Sequence, residues 1–348
     1  MKTINIEKFN QIIENITNKK YIHGATFRVL VGESGEEWTG ASGNLQVDSA
    51  YYIASINKMF VSALILKLIN EEKLSFDTPL SNFIEPDVLK GLHVYKGKDY
   101  SKEITVLHLL SQTSGLPCFL SDKPKKGKAP IKELEEGIDQ PWPINKVMDR
   151  VRALEAYFPP GMDHKAKYVD TNHQLLNLVF EGVTKKTVKD GLDQLFKELQ
   201  MSHTYVCEDI ADKSYIFPYY KNEKRNISQF ITSTNNDIIS TTQDQILFIK
   251  AFFNGYFYPK DHLKSLELWK PIFFPFQYGI GIQKFYMPRM MSPLRKVPDM
   301  IGHCGSTGAV AYYVPDLDVY ITGTTNQQAS PNAAFQTMIK MVHSLLEK

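Results

Sequence analysis

The segment Val61–Glu72, VSALILKLINEE, is apolar on nearly every side until Lys67. A helix with no polar stripe has to be surrounded by other elements, so it belongs in the middle of a domain and not on its surface. Met59–Leu66 is also the longest apolar run, and it is far too short to cross a membrane. With 348 residues the chain can build the layers that such a helix needs.

The two chain ends supply one set of layers. Phe9, Ile12, Ile13 and Ile16 recur at helical spacing, and 25–31 followed by 36–41 reads as a hairpin around Gly32–Gly35. Near the other end, 309–314 and 319–325 flank the turn Pro315–Asp318. A closing helix over 333–346 follows, its apolar face made by Phe335, Met338, Ile339, Val342 and Leu346. Helix plus hairpin at both ends predicts an α+β fold: one antiparallel sheet built from the two termini and flanked by helices. Between them the chain is loop-rich and helical, with helices expected over 147–156, 172–183 and 190–199. The expected division is a sheet-plus-helix domain from 1–78 and 235–348, an inserted mostly helical domain over 79–234, and an active site in the cleft between them.

Composition narrows the chemistry. Lys plus Arg is 40 and Asp plus Glu 38, a balance that gives no electrostatic case for nucleic acid or an anionic membrane. Cys118, Cys207 and Cys304 lie far apart and form no zinc ligand set or disulfide framework. No H-E-x-x-H zinc motif and no G-x-S-x-G nucleophile elbow occurs. The first twenty residues carry no unbroken apolar stretch, so no signal peptide is read there and a cytoplasmic location is expected.

Three segments carry candidate chemistry. Ser55 and Lys58 open the buried helix three residues apart, hence on one face of it. A serine at a helix start meets free N–H groups and the positive dipole end, which favour a developing anion. A lysine in a dry site loses its proton more readily and can serve as a base. Tyr168 and Asp170 stand just ahead of the apolar helix that begins near Asn172, and Gly302, Gly305 and Gly308 let a backbone approach a ligand closely around His303.

Taken together these segments resemble the serine β-lactamase and penicillin-binding protein superfamily, in its class C β-lactamase, DD-peptidase and esterase branch. The three motifs stand in the family's order: S-x-x-K as Ser55 to Lys58, Y-x-N as Tyr168 to Asp170, and [KH]-x-G as His303-Cys304-Gly305. Leu109–Pro117, Phe158–Gly161, Ser240–Asp244 and Tyr278–Ile282 also fit, so the resemblance runs from about residue 20 to the end. It implies a β-lactamase/transpeptidase-like fold and a Ser55 nucleophile that forms an acyl-enzyme. Lys58 and Tyr168 would share the proton transfers, with the base left open between them. The backbone N–H groups of Ser55 and Ser306 would form the oxyanion hole, and Asp170, His303, Cys304 and Gly305 would line the substrate. His303 would contact a substrate carboxylate or polarise Tyr168. No metal or cofactor is implied.

Two departures shape the expected activity. Asp170 replaces the family's asparagine, and a carboxylate beside Lys58 favours the ammonium, which works against lysine as the base and shifts weight toward Tyr168 or toward a protonated Asp170. His303-Cys304 replaces the usual Lys and Thr or Ser, which removes a fixed positive charge for a β-lactam carboxylate. An esterase or a small amide or peptide hydrolase, of the D-amino-acid peptidase kind, is therefore expected first. A β-lactamase or DD-peptidase comes second. The rival from another class is a catalytically decayed ligand-binding or scaffolding module. The expected partner is a small molecule or short peptide, with the oligomeric state open.

Overall fold

A computed structural model describes residues 3–234, 237–292 and 296–347. Eight strands form one antiparallel sheet: β1 (Gly24–Val31), β2 (Glu37–Gly43), β3 (Lys270–Phe273), β4 (Phe276–Tyr278), β5 (Gln283–Phe285), β6 (Met300–Cys304), β7 (Ala309–Val314) and β8 (Val319–Thr324). Their order across the sheet is β3-β4-β5-β6-β7-β8-β1-β2. The two chain ends meet where β1 pairs with β8, Thr26 opposite Thr324 and Val31 opposite Val319.

Alternation along these strands sorts two cores onto the two faces of the sheet. Phe27 and Val29 of β1, Val310, Tyr312 and Val314 of β7, and Val319 and Ile321 of β8 face helices α1 (Ile6–Glu14) and α6 (Asn332–Leu346). There Phe9 meets Trp38 edge to face at 5.2 Å, and Phe335 stacks on Phe285 at 5.1 Å. The intervening Leu30, Ala309, Ala311 and Tyr320 belong to the opposite core, with helices α2 (Asn57–Asn70), α3 (Thr171–Thr184), α4 (Val188–Glu198) and α5 (Thr242–Phe253). The small Ala309 and Ala311 let this helical layer approach the sheet. Phe60 of α2 stacks on Phe248 of α5 at 3.6 Å between centroids. Eleven of the fourteen α2 residues are buried, as the absence of a polar stripe requires.

Three short strands, Tyr51–Tyr52, Ile238–Ser240 and Tyr205–Val206, make a second small sheet beside the start of α2. It ties the 79–234 segment to the chain on either side of it. Residues 1, 2, 235, 236, 293–295 and 348 of the expected division lie outside the described residues. No helix among the described residues is long and apolar enough to cross a membrane.

Four strands, β3 to β6, exceed the two expected hairpins. Strands β3 to β5 are three or four residues long and interrupted by Pro271 and Pro275, so no unbroken β-branched run marks them, and β6 carries Gly302 at its centre. The helix expected over 147–156 lies at Ile144–Arg152, because Pro143 in extended conformation caps it three residues earlier.

Candidate active site

Ser55 sits in a single 3₁₀ turn, Ala54–Ile56, between the small sheet and α2. That turn is held in an unfavourable shape. Ala54 has φ +50°, a left-handed conformation that costs a residue with a Cβ on the order of 1 kcal/mol or more. The end of β6 clamps it. A Cβ at Gly305 would lie 2.4 Å from the Ile53 carbonyl oxygen and 3.0 Å from the Ala54 Cβ, so only glycine fits there. Thr307 then donates its hydroxyl to the Tyr52 carbonyl at 3.1 Å. Ser55 and Ser306 consequently line the same cleft.

One helical turn beyond Ser55, the Lys58 ammonium lies 3.0 Å from Ser55 Oγ and 2.6 Å from Asp170 Oδ1, with 6% of its side chain exposed. Burial alone would push the Lys58 pKa down, but the Asp170 carboxylate outweighs it and holds the pKa above the ordinary lysine value. The Asp170 carboxyl shifts in the complementary direction: burial raises it, Lys58 lowers it, and the net is a lowered pKa. Both directions describe an ammonium paired with a carboxylate. Asp170 occupies the N-cap position of α3 without capping it through its side chain, which leaves the carboxylate turned to Lys58. Its second oxygen accepts the Cys118 thiol at 3.2 Å.

Tyr168 completes this group. Its ring centroid lies 5.6 Å from Lys58 Nζ, and its hydroxyl shares a hydrogen bond with Ser55. Burial first, then the Asp170 charge, pushes the phenol well above its usual pKa, so the proton stays on it near neutrality. Phe273, Tyr278 and His303 pack around the ring at centroid distances of 5.9–6.1 Å.

His303 and Cys304 depart from their expected positions. His303 is wholly buried and lies behind Tyr168, not on the cleft wall. Its Nδ1 is 2.9 Å from the Cys304 carbonyl, which can only accept, so the ring proton is on Nδ1; Nε2, 3.2 Å from the Tyr278 hydroxyl, is then the acceptor. Burial, and next the Lys58 charge, push its pKa to about 3. The ring is neutral and carries no charge for a substrate carboxylate. Cys304 points to the opposite face of β6, as strand alternation demands, where Sγ donates to Gln283 Oε1 at 3.1 Å and packs against the terminal-helix core. Its side chain does not reach the cleft; its backbone links His303 to Gly305.

Several residues at or behind the cleft carry no sequence motif. Cys118, buried behind Asp170, reads in the sequence as a lone cysteine only. Asp237 lines the cleft in a buried position and accepts from Tyr52 at 2.9 Å, Asn57 at 2.8 Å and Thr234 at 2.7 Å. Burial raises its carboxyl to about 6. Phe119, Leu120, Ile131, Leu134, Ile227 and Phe230 give the cleft an apolar wall. Among the described residues lining it, Lys58 is the one cation, since burial keeps the His173 ring neutral. No group of three or more metal-ligating side chains occurs among the described residues.

A family model described as Beta-lactamase matches residues 9–341. Among curated proteins, Protein flp of Staphylococcus aureus (strain MW2) is 29% identical over 211 residues, which is 57% of this chain and 38% of that protein. The match thus spans little more than a third of the length of these curated relatives. Among solved structures, a D-stereospecific amidohydrolase from Streptomyces sp. superposes with a TM-score of 0.75 at 23% identity, over 93% of this chain and 95% of that one. A D-amino acid amidase from Ochrobactrum anthropi SV3 does so with a TM-score of 0.79 at 17% identity, over 98% of both chains. These likenesses establish the β-lactamase/transpeptidase-like fold.

Proposed function

The chain belongs to the β-lactamase family of serine hydrolases, and from that premise we propose that it hydrolyses an ester or a small amide, amino-acid amides included, through an acyl-enzyme on Ser55. The observation that carries the reading is Lys58 Nζ at 3.0 Å from Ser55 Oγ, within an interior site that also holds Tyr168. In this reading Ser55 Oγ attacks the carbonyl carbon while the N–H groups of Ser55 and Ser306 receive the oxyanion. The proton leaves through the Lys58, Tyr168 and Asp170 group and returns to the leaving group. Gly305 sets the oxyanion site by fixing the distance between β6 and the Ser55 turn. The cleft lies between the 79–234 segment and the part made by the chain ends.

Charge argues for the substrate class. Lys58 is committed to Asp170, and His303 is neutral, so among the described residues lining the cleft a substrate carboxylate meets no free cation, while Phe119 and Phe230 suit an apolar acyl group. The amidohydrolase and the amidase of like fold are named as D-stereospecific and as acting on D-amino acids, which supports including amino-acid amides beside esters in this proposal. The test is hydrolysis of p-nitrophenyl butyrate and of a panel of D- and L-amino-acid amides, with Ser55→Ala as control. Turnover lost in the control is expected. Equal rates in both proteins would leave a decayed binding module as the reading, and rapid, stable labelling by a fluorescent penicillin would put β-lactamase or DD-peptidase chemistry first.

A further inference from the structure

A lysine that rests as an ammonium cannot take the Ser55 proton until it gives one away, and Tyr168 rests as a neutral phenol. The group placed to accept is Asp170, whose Oδ1 lies 2.6 Å from Lys58 Nζ, which itself lies 3.0 Å from Ser55 Oγ. An asparagine there could orient the lysine but could not hold a proton. Cys118 fixes the carboxylate from behind. Its thiol reaches Asp170 Oδ2 at 3.2 Å, and its sulfur lies 3.4 Å from the Asp170 N–H and 3.4 Å from the Ser121 N–H. The Cys118 backbone N–H is anchored in turn on Asp122 Oδ2 at 2.7 Å. The thiol, pushed up to about 12 by burial and then by Asp170, keeps its proton and so remains a donor.

We propose that Ser55, Lys58 and Asp170 form a proton relay in which Asp170 is the terminal acceptor and Cys118 is the positioning residue that keeps Oδ1 on the lysine. The proposal rests on the reading of Ser55 as nucleophile. In acylation one Lys58 N–H bond breaks as an O–H bond forms on Asp170 Oδ1. The Ser55 O–H bond breaks as its proton replaces the one lost from Lys58. The Ser55 oxygen pair forms the C–O bond, and the carbonyl π pair moves onto the oxyanion. Lys58 is an ammonium before and after the step, and the negative charge has moved from Asp170 to the oxyanion. On collapse the leaving group departs with its bonding pair and takes a proton from Lys58, which recovers one from Asp170.

Other titratable groups surround the pair: Tyr168, Tyr278 and Tyr52, all with raised pKa values, His303 and His173, both held neutral by burial, and Asp237. Only Asp237, raised to about 6, titrates near the working range, and it is controlled for below.

The test is the pH profile of kcat/KM on p-nitrophenyl butyrate for the full chain, with folding followed by circular dichroism at each pH. The expected wild-type acid limb lies at or below the ordinary aspartate range, about 4, because Asp170 must be ionised to accept. Asp170→Asn should move that limb up by about two units or more, since Lys58 itself must then lose its proton. Cys118→Ala should move it in the same direction and lower kcat about tenfold with KM unchanged, and Cys118→Ser, which can still donate, should restore both. A wild-type limb near 6 that moves with Asp237→Asn overturns the relay, and so do limbs that superimpose in wild type, Asp170→Asn and Cys118→Ala. If Ser55→Ala is as active as wild type, the nucleophile reading itself fails and the relay with it.

Discussion

His303 shows how much one environment can change what a residue type means. In the sequence it stands where the family resemblance implies a cation. In the fold it is buried, donates to the Cys304 carbonyl, accepts from Tyr278, and is neutral because charging it would mean an uncompensated buried ion beside Lys58. This has a consequence for stability. The His303 pKa is about 3 in the folded state against about 6.5 in the unfolded chain, so below pH 6.5 the unfolded state binds more protons and stability falls as pH falls. At about 1.4 kcal/mol per unit, His303 alone removes roughly 2 kcal/mol between pH 6.5 and 5. His173, also lowered by burial, acts in the same direction. Asp237 acts the other way: its raised carboxyl, about 6, is protonated preferentially in the folded state as pH falls toward 4. Urea unfolding should therefore show stability declining from pH 7 to 5, with the decline steeper in Asp237→Asn. A flat profile in both proteins would contradict these assignments.

Among the elements, the contact between the end of β6 and the Ser55 turn decides the site. Strand β6 is a central strand, paired with β5 and β7, and so gives a rigid wall. The Ser55 turn carries a strained Ala54 and relies on that wall to keep its shape. Gly305→Ala places a methyl group 2.4 Å from the Ile53 carbonyl oxygen and so forces the wall and the turn apart. The expected result is a fall in kcat of about 10²–10³-fold, the loss typical of one misplaced oxyanion donor, with a smaller change in KM. Steady-state kinetics at fixed pH would measure it, and wild-type kcat would show that β6 does not set the oxyanion geometry.

Across the whole molecule, the two terminal hairpins of the sheet were legible and the short strands β3 to β5 were not. Phe27, Val29 and the run 309–314 alternate cleanly because one face of the sheet meets α1 and α6 and the other meets the helical layer. Strands β3 to β5 hold too few residues to show a period. The all-apolar α2 announced its own burial and, with it, the interior position of Lys58. Cys118 was illegible, since its meaning is a contact with Asp170 across 52 positions of sequence. Asp237 was equally so, because three donors from separate segments define it. What the spacing of Ser55, Lys58 and Tyr168 offered was a claim that distant segments converge around one hydroxyl, and reactivity is where that claim meets experiment. Intact-mass and peptide mapping after exposure of the full chain to a p-nitrophenyl phosphonate ester is the most direct measurement. A single adduct on Ser55, absent from Ser55→Ala, is the predicted result. No adduct, or one on another side chain while Ser55 stays unmodified, would contradict it.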